Sequence, residues 1–140
     1  MLKFKIITPE QEVFADEIDQ LTVMTRDGEI TIMPNHIPLV SILMPGELKY
    51  KKNGEEYPMA VSGGFVEVRP DNVVAILADT AEMAKDIDLE RAEAAKTRAQ
   101  KALEDVRGME HVDFAGLHAD LHRASNRIKV GKKYRRLPPS

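Results

Sequence analysis

The chain changes character at Asp86-Ile87-Asp88-Leu89-Glu90-Arg91-Ala92, where strand-forming sequence gives way to helix-forming sequence. Six of the eight prolines precede this stretch, and none lies between residues 71 and 137. Because proline is excluded from helix interiors, the later region can form long helices that the earlier one cannot. The sequence therefore predicts two domains, residues 1–85 and residues 86–140.

The two predicted domains also differ in charge. Residues 1–85 carry 8 Lys and Arg against 14 Asp and Glu, whereas residues 86–140 carry 12 against 9, within a total net charge of −3. At 140 residues the chain is long enough for a small compact domain with a helical appendage that holds little core of its own. A basic appendage is thus joined to an acidic body.

Two classes of protein are excluded by composition. No apolar run approaches the roughly 20 residues that a membrane helix requires, so we expect no direct insertion into a membrane. The chain has no cysteine, which excludes disulfides and thiolate chemistry and fits the cytosol.

The chain also lacks a Walker loop, a His-Glu-x-x-His sequence and a Gly-x-Ser-x-Gly sequence, so no motif indicates catalysis by the chain alone.

Residues 1–85 show the alternation typical of half-buried strands. Leu2, Phe4 and Ile6 offer one face to a core at a period of two, and residues 21, 23 and 25 repeat the pattern. Turn sequences separate the runs at short intervals, and Asn53-Gly54 is a strong hairpin signal because a type I′ turn requires positive φ at both central residues. The prediction is an antiparallel β-sandwich or flattened barrel.

The pair Gly63-Gly64 allows two interpretations. Paired glycines can cradle a phosphate, but this pair lies within a strand pattern and no Gly-Lys-Ser/Thr follows it. A bulge or a close approach between strands is the favoured interpretation.

Residues 86–137 have the periodicity of two amphipathic helices. Apolar residues recur at steps of three and four from Leu89 to Val106 and again from Phe114 to Ile128. Gly108 can end the first helix in a left-handed conformation, and Asp113 can cap the second. The short connection predicts an antiparallel hairpin. Its seam is rich in alanine, so we expect it to be lightly packed and suited to rearrangement.

Four arginines are placed to meet in this hairpin. Arg91 and Arg98 lie two turns apart on one helix, and Arg123 and Arg127 lie one turn apart on the other. Guanidinium groups held together cost free energy unless an anion lies among them, and they match phosphate oxygens well. Three acidic residues at the root of the hairpin could then bond the sugar or base of a nucleotide: Glu82, Asp86 and Asp88. The alternative is a solvated surface with ion pairs Asp88–Arg91 and Asp120–Arg123, in which Asp88 or Asp86 only caps the helix.

Two further charged patterns give weaker signals. His118 and His122 have the i,i+4 spacing of a metal site with Asp113 or His111, but a solvated helix flank is the favoured interpretation, and no metal site is predicted. The basic residues near the C-terminus lack the aromatic stacking platform of a nucleic-acid site, so an acidic protein partner is favoured and no nucleic-acid binding is expected.

Four segments carry a resemblance to a known family. They are residues 27–32, 34–40, 61–68 and 87–92, with the sequences DGEITI, PNHIPLV, VSGGFVEV and IDLERA. In their order and spacing, which cover nearly the whole chain, the sequence resembles the epsilon subunits of bacterial F-type ATP synthases, Bacillus-type subunits in particular. The family pattern has Pro-Gly-His where this chain has Pro34-Asn35-His36, and asparagine also tolerates a left-handed backbone. The tail after Val130 looks longer and more basic than is usual in the family.

The resemblance implies a non-catalytic central-stalk subunit that couples rotation to ATP synthesis. Its implied partners are the gamma subunit, the c-ring and the alpha and beta subunits of the catalytic head, at the cytoplasmic face of the bacterial cell membrane. The c-ring contact would use Glu29 and His36. The translocated ion is expected to be the proton, with sodium left open. The competing interpretation is a free-standing adenine-nucleotide sensor or adaptor protein, and an enzyme ranks third.

The resemblance further implies that the hairpin switches between a folded form and an extended form that inhibits ATP hydrolysis. ATP, with or without Mg²⁺, would act as a regulatory ligand of the folded form. The residues implied to bind it are Glu82, Ile87, Asp88, Arg91, Ala92, Arg98, Arg123 and Arg127. The inhibitory contacts are expected from the basic residues Lys129, Lys132, Lys133, Arg135 and Arg136.

Overall fold

The computed structural model describes residues 1–136, with side chains up to Lys133. Ten strands are followed by a 3-10 turn at Ala84–Asp86 and by the helices α1 (Leu89–Asp105) and α2 (Phe114–Arg136). The strands are β1 (Leu2–Ile7), β2 (Glu12–Ile18), β3 (Gln20–Thr25), β4 (Gly28–Ile32), β5 (Leu39–Leu43), β6 (Gly46–Lys52), β7 (Glu55–Val61), β8 (Gly64–Arg69), β9 (Val73–Ala78) and β10 (Ala81–Met83).

The strands form one sheet that wraps around a single core, in the order β10-β7-β6-β3-β5-β8-β9-β1-β2, with β4 paired to β3. The predicted sandwich or flattened barrel is confirmed. One pairing differs from the expected antiparallel pattern, because β1 runs parallel to β9, from Lys3 opposite Val73 to Ile7 opposite Leu77. The chain crosses the whole β domain between these two strands, so their parallel pairing does not require a tight turn.

The core follows the predicted alternation. Leu2, Phe4 and Ile6 are at most 2% exposed, and Leu21, Val23 and Thr25 are also buried. Branched and aromatic side chains from the inner face of the sheet fill the interior. The β domain therefore holds nearly all of the large buried side chains.

Four aromatic rings, one of them Phe4, and one ion pair lie where β2 approaches β6. Phe14 lies 5.1 Å from Tyr50, which stacks on Tyr57 at 4.9 Å between ring centroids. Lys52 Nζ donates to Asp16 Oδ2 at 2.6 Å. Burial raises the pKa of Tyr50 to about 12. These contacts close the open side of the sandwich.

Glycine is required at one predicted turn and at one close approach between strands. Asn53 and Gly54 have φ values of 53° and 81°, as the predicted type I′ turn requires. Gly64 has φ 153°, and a Cβ placed there would lie 1.9 Å from the carbonyl oxygen of Leu77. The Gly63-Gly64 pair thus marks a close approach between β8 and β9, as the favoured interpretation predicted, and not a phosphate-binding loop.

Both helices begin at the predicted aspartates. The Asp88 carboxylate accepts the backbone N–H of Arg91 at 3.1 Å, and the Asp113 carboxylate accepts that of Gly116 at 2.9 Å. α1 ends at Asp105, and Gly108 takes the predicted positive φ, at 81°, in the following turn. Neither helix in the described part of the chain is both long and apolar enough to cross a membrane.

The hairpin rests on the β domain through a small apolar cluster. Ala60 of β7, Ala84 of the 3-10 turn and Ile87 pack against Val130 of α2, which is fully buried. A Cβ added to Gly131 would lie 2.8 Å from Leu89 Cδ2. The C-terminal part of α2 is therefore fitted closely to the root of α1 and to the edge of the sheet.

Candidate functional site

A cleft of about 390 Å³ lies between α1 and α2, within the size range of small-molecule sites. Its floor is the alanine-rich seam of the hairpin, where Ala99 and Ala124 are buried. Because alanine side chains are short, the two helices leave space between them that larger residues would fill. The cleft is lined by Ala95, Arg98, Ala99, Ala102, Leu117, Asp120, Arg123, Ala124 and Arg127.

The charge lining the cleft is predominantly positive. Three guanidinium groups, those of Arg98, Arg123 and Arg127, face it together with the single carboxylate of Asp120. Asp120 pairs with Arg123 at 3.4 Å, and their side chains are 59% and 44% exposed. An ion pair this exposed contributes little to stability. Arg123 can therefore leave Asp120 and bind an incoming anion at little cost in free energy. The cleft is suited to a multiply charged anion.

Arg127 makes the strongest polar contact of the site. Its guanidinium group forms a bidentate ion pair with Glu82 of β10, with Nη2 to Oε2 at 3.2 Å. Both side chains are about 30% exposed. Glu82 thus orients Arg127 at the edge of the cleft and ties the second helix to the β domain.

The structure separates the remaining predicted ligand residues from the cleft lining. Ile87 is 4% exposed and Ala92 is fully buried, so both support the root of the hairpin. Asp88 caps α1. Arg91 and Asp86 are exposed, and neither lines the cleft. Arg91 lies two turns before Arg98 and does not line the cleft, so its place at a ligand stays a prediction.

Of the two ion pairs that the solvated-surface alternative predicted, one is present. The predicted Asp120–Arg123 pair forms, but among the described residues no side-chain ion pair joins Asp88 to Arg91. The Asp88 carboxylate is engaged by the backbone N–H at the helix start instead, because the free N–H groups of the first turn compete for it.

The loop predicted to dock on the c-ring is held by the β domain. Glu29 is exposed on β4, and His36 is partly buried, with Nδ1 at 2.7 Å from the carbonyl of Ile37. Asn35 has φ 70°, the left-handed conformation expected from the sequence, and its N–H donates to Asn72 Oδ1 at 2.6 Å. Ile37 is 74% exposed. The loop therefore offers apolar and polar groups together.

The basic residues at the end of α2 divide into two groups. Lys129, Lys132 and Lys133 are exposed, and the last two pair with Glu93 at 3.8 Å and Glu47 at 2.9 Å. The side chains of Arg135 and Arg136 lie outside the described residues. Within the described part of the chain, no cluster of three or more His, Cys, Asp and Glu side chains could hold a metal ion.

Sequence reasoning missed an apolar surface on the outside of the sandwich. Ile42 of β5, Phe65 of β8 and Leu77 of β9 lie side by side in register, and they are 40%, 51% and 39% exposed. Val40 extends this surface at 68% exposed. The signal was present, because β5 carries apolar residues on both faces, as strands covered on both sides do. We call residues 40, 42, 65 and 77 the outer apolar face.

Comparison with known proteins identifies both halves of the chain. Residues 1–84 match the beta-sandwich domain of the ATP synthase delta/epsilon chain, and residues 85–132 match its long alpha-helix domain. The ATP synthase epsilon chain of Halalkalibacterium halodurans is 46% identical over 129 residues, covering 92% of this chain and 96% of the relative. That of Dehalococcoides mccartyi is 48% identical over 139 residues, covering 98% and 96%.

Two solved structures share the fold. A chain of the Euglena gracilis mitochondrial ATP synthase, in an assembly of OSCP, F1 and c-ring, matches with a TM-score of 0.73 and 21% identity, covering 89% of this chain and 78% of that one. A chain of the Tetrahymena thermophila central stalk and c-ring matches with a TM-score of 0.59 and 21% identity, covering 95% of each. The family match confirms the predicted non-catalytic subunit and does not favour the free-standing sensor. The chain belongs to the ATP synthase delta/epsilon chain family.

Proposed function

We propose that this chain couples rotation to ATP synthesis in the central stalk of a proton-translocating ATP synthase and inhibits ATP hydrolysis through its hairpin. The observation that carries the regulatory part is the cleft between α1 and α2, which gathers three guanidinium groups over an alanine floor. Its ligand in this proposal is ATP, with or without Mg²⁺.

The phosphates of ATP would bind Arg98, Arg123 and Arg127, since arginine forks match phosphate oxygens. Glu82 and Asp88 lie toward the root of the hairpin, where they would hydrogen-bond the nucleoside. Ile87 and Ala92 would act by packing the root of α1, and Arg91 would have to swing toward the ligand. Because ATP bridges both helices, it would stabilise the folded hairpin over the open one.

Two surfaces of the β domain supply the proposed stalk contacts. The outer apolar face is larger and more continuous than scattered surface hydrophobics, which is typical of a protein interface, and we assign it to the gamma subunit. The loop carrying Glu29 and His36 would dock on the polar loops of the c-ring. These contacts would hold the chain at the cytoplasmic face of the bacterial cell membrane as a peripheral subunit.

The brake in this proposal is the basic end of α2. When the hairpin opens, Lys129, Lys132 and Lys133, with Arg135 and Arg136 beyond the described side chains, would engage acidic surfaces of the alpha and beta subunits. Complementary charge directs such encounters and makes them sensitive to salt. A positive arm on a negative body is suited to this role.

Deletion of residues 86–140 tests the proposal in the assembled enzyme. We expect faster ATP hydrolysis with assembly and ATP synthesis largely retained, because the β domain holds the proposed stalk contacts. Neutralising Lys129, Lys132 and Lys133 together should give part of the same effect, whereas Lys101→Gln on exposed α1 should not. Hydrolysis no faster in the deletion than in the intact enzyme would refute the brake. A chain that fails to co-purify with gamma would favour the free-standing sensor.

A further inference from the structure

The end of α2 lies at one corner of the sandwich, where β6 begins and β7 ends. Gly46 and Val61 are paired across these strands, and the Asn126 side chain donates to both of their carbonyl oxygens, at 3.1 Å and 3.4 Å. An amide that spans two strands in this way fixes the position of the helix on the sheet edge.

The same corner holds a charged contact. Lys133 Nζ donates to both oxygens of Glu47, at 3.0 Å and 2.9 Å. The Glu47 side chain is only 18% exposed, whereas that of Lys133 is 46% exposed. A carboxylate that folding has partly removed from water depends on its partner more than an exposed one does.

These contacts share one face of the helix. Asn126, Val130 and Lys133 follow one another at steps of four and three, which places their side chains in a single row. Val130 fills the buried apolar cluster against Ala60 and Ala84. The apolar joint between hairpin and β domain is thus bracketed by a polar contact on each side along the helix.

We infer that Glu47 is the acceptor of an electrostatic latch, in which its bond to Lys133 both holds the hairpin on the β domain and withholds that lysine from an external partner. One ammonium group cannot satisfy Glu47 and an acidic surface of another chain at the same time. The claim that Glu47 withholds Lys133 from a partner is the functional half and rests on the brake proposed above. The claim that the pair holds the hairpin on the β domain is the structural half and rests on the contacts alone.

A second lysine–glutamate pair provides a matched control. Lys132 and Glu93 lie 3.8 Å apart with side chains 52% and 57% exposed, and they join α2 to α1 within the hairpin. Removal of this pair leaves every contact with the β domain in place. It therefore separates loss of a surface charge from loss of the latch.

The test measures hairpin docking in the isolated full-length chain. Because the chain has no cysteine, dyes can be attached at Gln11→Cys on the β domain and Gln100→Cys on α1, both exposed and both uncharged. Energy transfer between the dyes reports the ratio of open to docked hairpin. The variants to compare are Glu47→Gln, Glu47→Lys, Lys133→Glu, the double swap Glu47→Lys/Lys133→Glu, and Glu93→Gln.

We expect Glu47→Gln to raise the ratio of open to docked hairpin about threefold to fivefold, the upper range for ion pairs near a surface. Either single charge reversal should raise it further, the double swap should restore most of the docking, and Glu93→Gln should leave the ratio within about 1.5-fold of wild type. The latch is overturned if the double swap opens the hairpin as much as the single reversals, or if Glu93→Gln equals Glu47→Gln.

Hydrolysis by the assembled enzyme then tests the functional half separately. If the hairpin opens in Glu47→Gln and hydrolysis falls, the latch and the brake both stand. If the hairpin opens while hydrolysis is unchanged, the latch stands as a docking contact and its role in withholding Lys133 from a partner is overturned. If the hairpin does not open, the latch fails whatever the deletion of the hairpin does to hydrolysis.

Discussion

The β domain and the helical hairpin are held together by different kinds of contact. The β domain buries seventeen apolar residues in one cluster, including Phe4, Leu48 and Ile76, whereas the cluster beneath the hairpin has four, two of them alanines. Burial of apolar surface contributes about 25 cal/mol per Å², so the larger cluster stabilises its domain far more than the smaller cluster stabilises hairpin docking. We call the smaller cluster the joint. The β domain is thus held by a large core, and the hairpin rests on it through a small apolar cluster.

The largest expected effect comes from breaking the rigid half at Gly64. A Cβ there would lie 1.9 Å from the Leu77 carbonyl oxygen on a backbone with φ 153°, so Gly64→Ala must separate β8 from β9. We expect a loss of about 3 kcal/mol or more in the free energy of unfolding, measured by chemical denaturation. Gly46→Ala is the control, since a Cβ there meets nothing within 4 Å, and a similar loss in both would refute this explanation.

A smaller effect should follow from overfilling the joint at Gly131. Gly131→Leu places a side chain where Leu89 Cδ2 already lies, 2.8 Å from the new Cβ, at an expected cost of about 1–3 kcal/mol to docking. Energy transfer between the two dye positions should fall while helix content by circular dichroism stays or rises, because leucine is a better helix former than glycine. Ala119→Leu on the exposed side of α2 should dock normally. Normal docking of Gly131→Leu would show that the joint is not tightly fitted.

The smallest effect is predicted at the ion pair that closes the sandwich. The hydrogen bond from Lys52 holds the pKa of Asp16 below its ordinary value of 3.8. A lowered pKa means that the stabilisation is fully present above pH 4 or so and is lost as pH falls through the folded-state value. The difference in unfolding free energy between wild type and Asp16→Asn should therefore be constant at neutral pH and shrink in acid. A difference independent of pH down to about pH 2 would contradict this assignment.

The strands, the turns and both helix starts could be predicted from local patterns. Leu2, Phe4 and Ile6 alternate, Asn53-Gly54 fits one turn type, and Asp88 precedes a helical repeat, so each element is determined by residues close together in sequence. The parallel pairing of β1 with β9 could not be predicted, because it depends on packing between strands about seventy residues apart.

The candidate site was predictable only in part, for a related reason. The helical spacing of Arg98, Arg123 and Arg127 predicted that they meet in one cleft, but Arg91, expected to join them, does not line it. The position of α2 against the root of α1 is fixed by contacts of Val130 and Gly131, which no local sequence pattern announces. The latch residue Glu47 carries no local signal at all, since its partner lies 86 residues away.

The central claim is that the cleft binds ATP and thereby favours the docked hairpin, and an ATP titration followed by energy transfer in the full-length chain tests it most directly. Binding only the docked state stabilises it by RT ln(1 + [L]/Kd), about 2.7 kcal/mol at a hundredfold excess over Kd. We predict that ATP increases docking in wild type and in the exposed control Arg107→Ala, that AMP does so less, and that Arg98→Ala and Arg127→Ala lose most of the response. An equal response to ATP in wild type, Arg98→Ala and Arg127→Ala would contradict the claim.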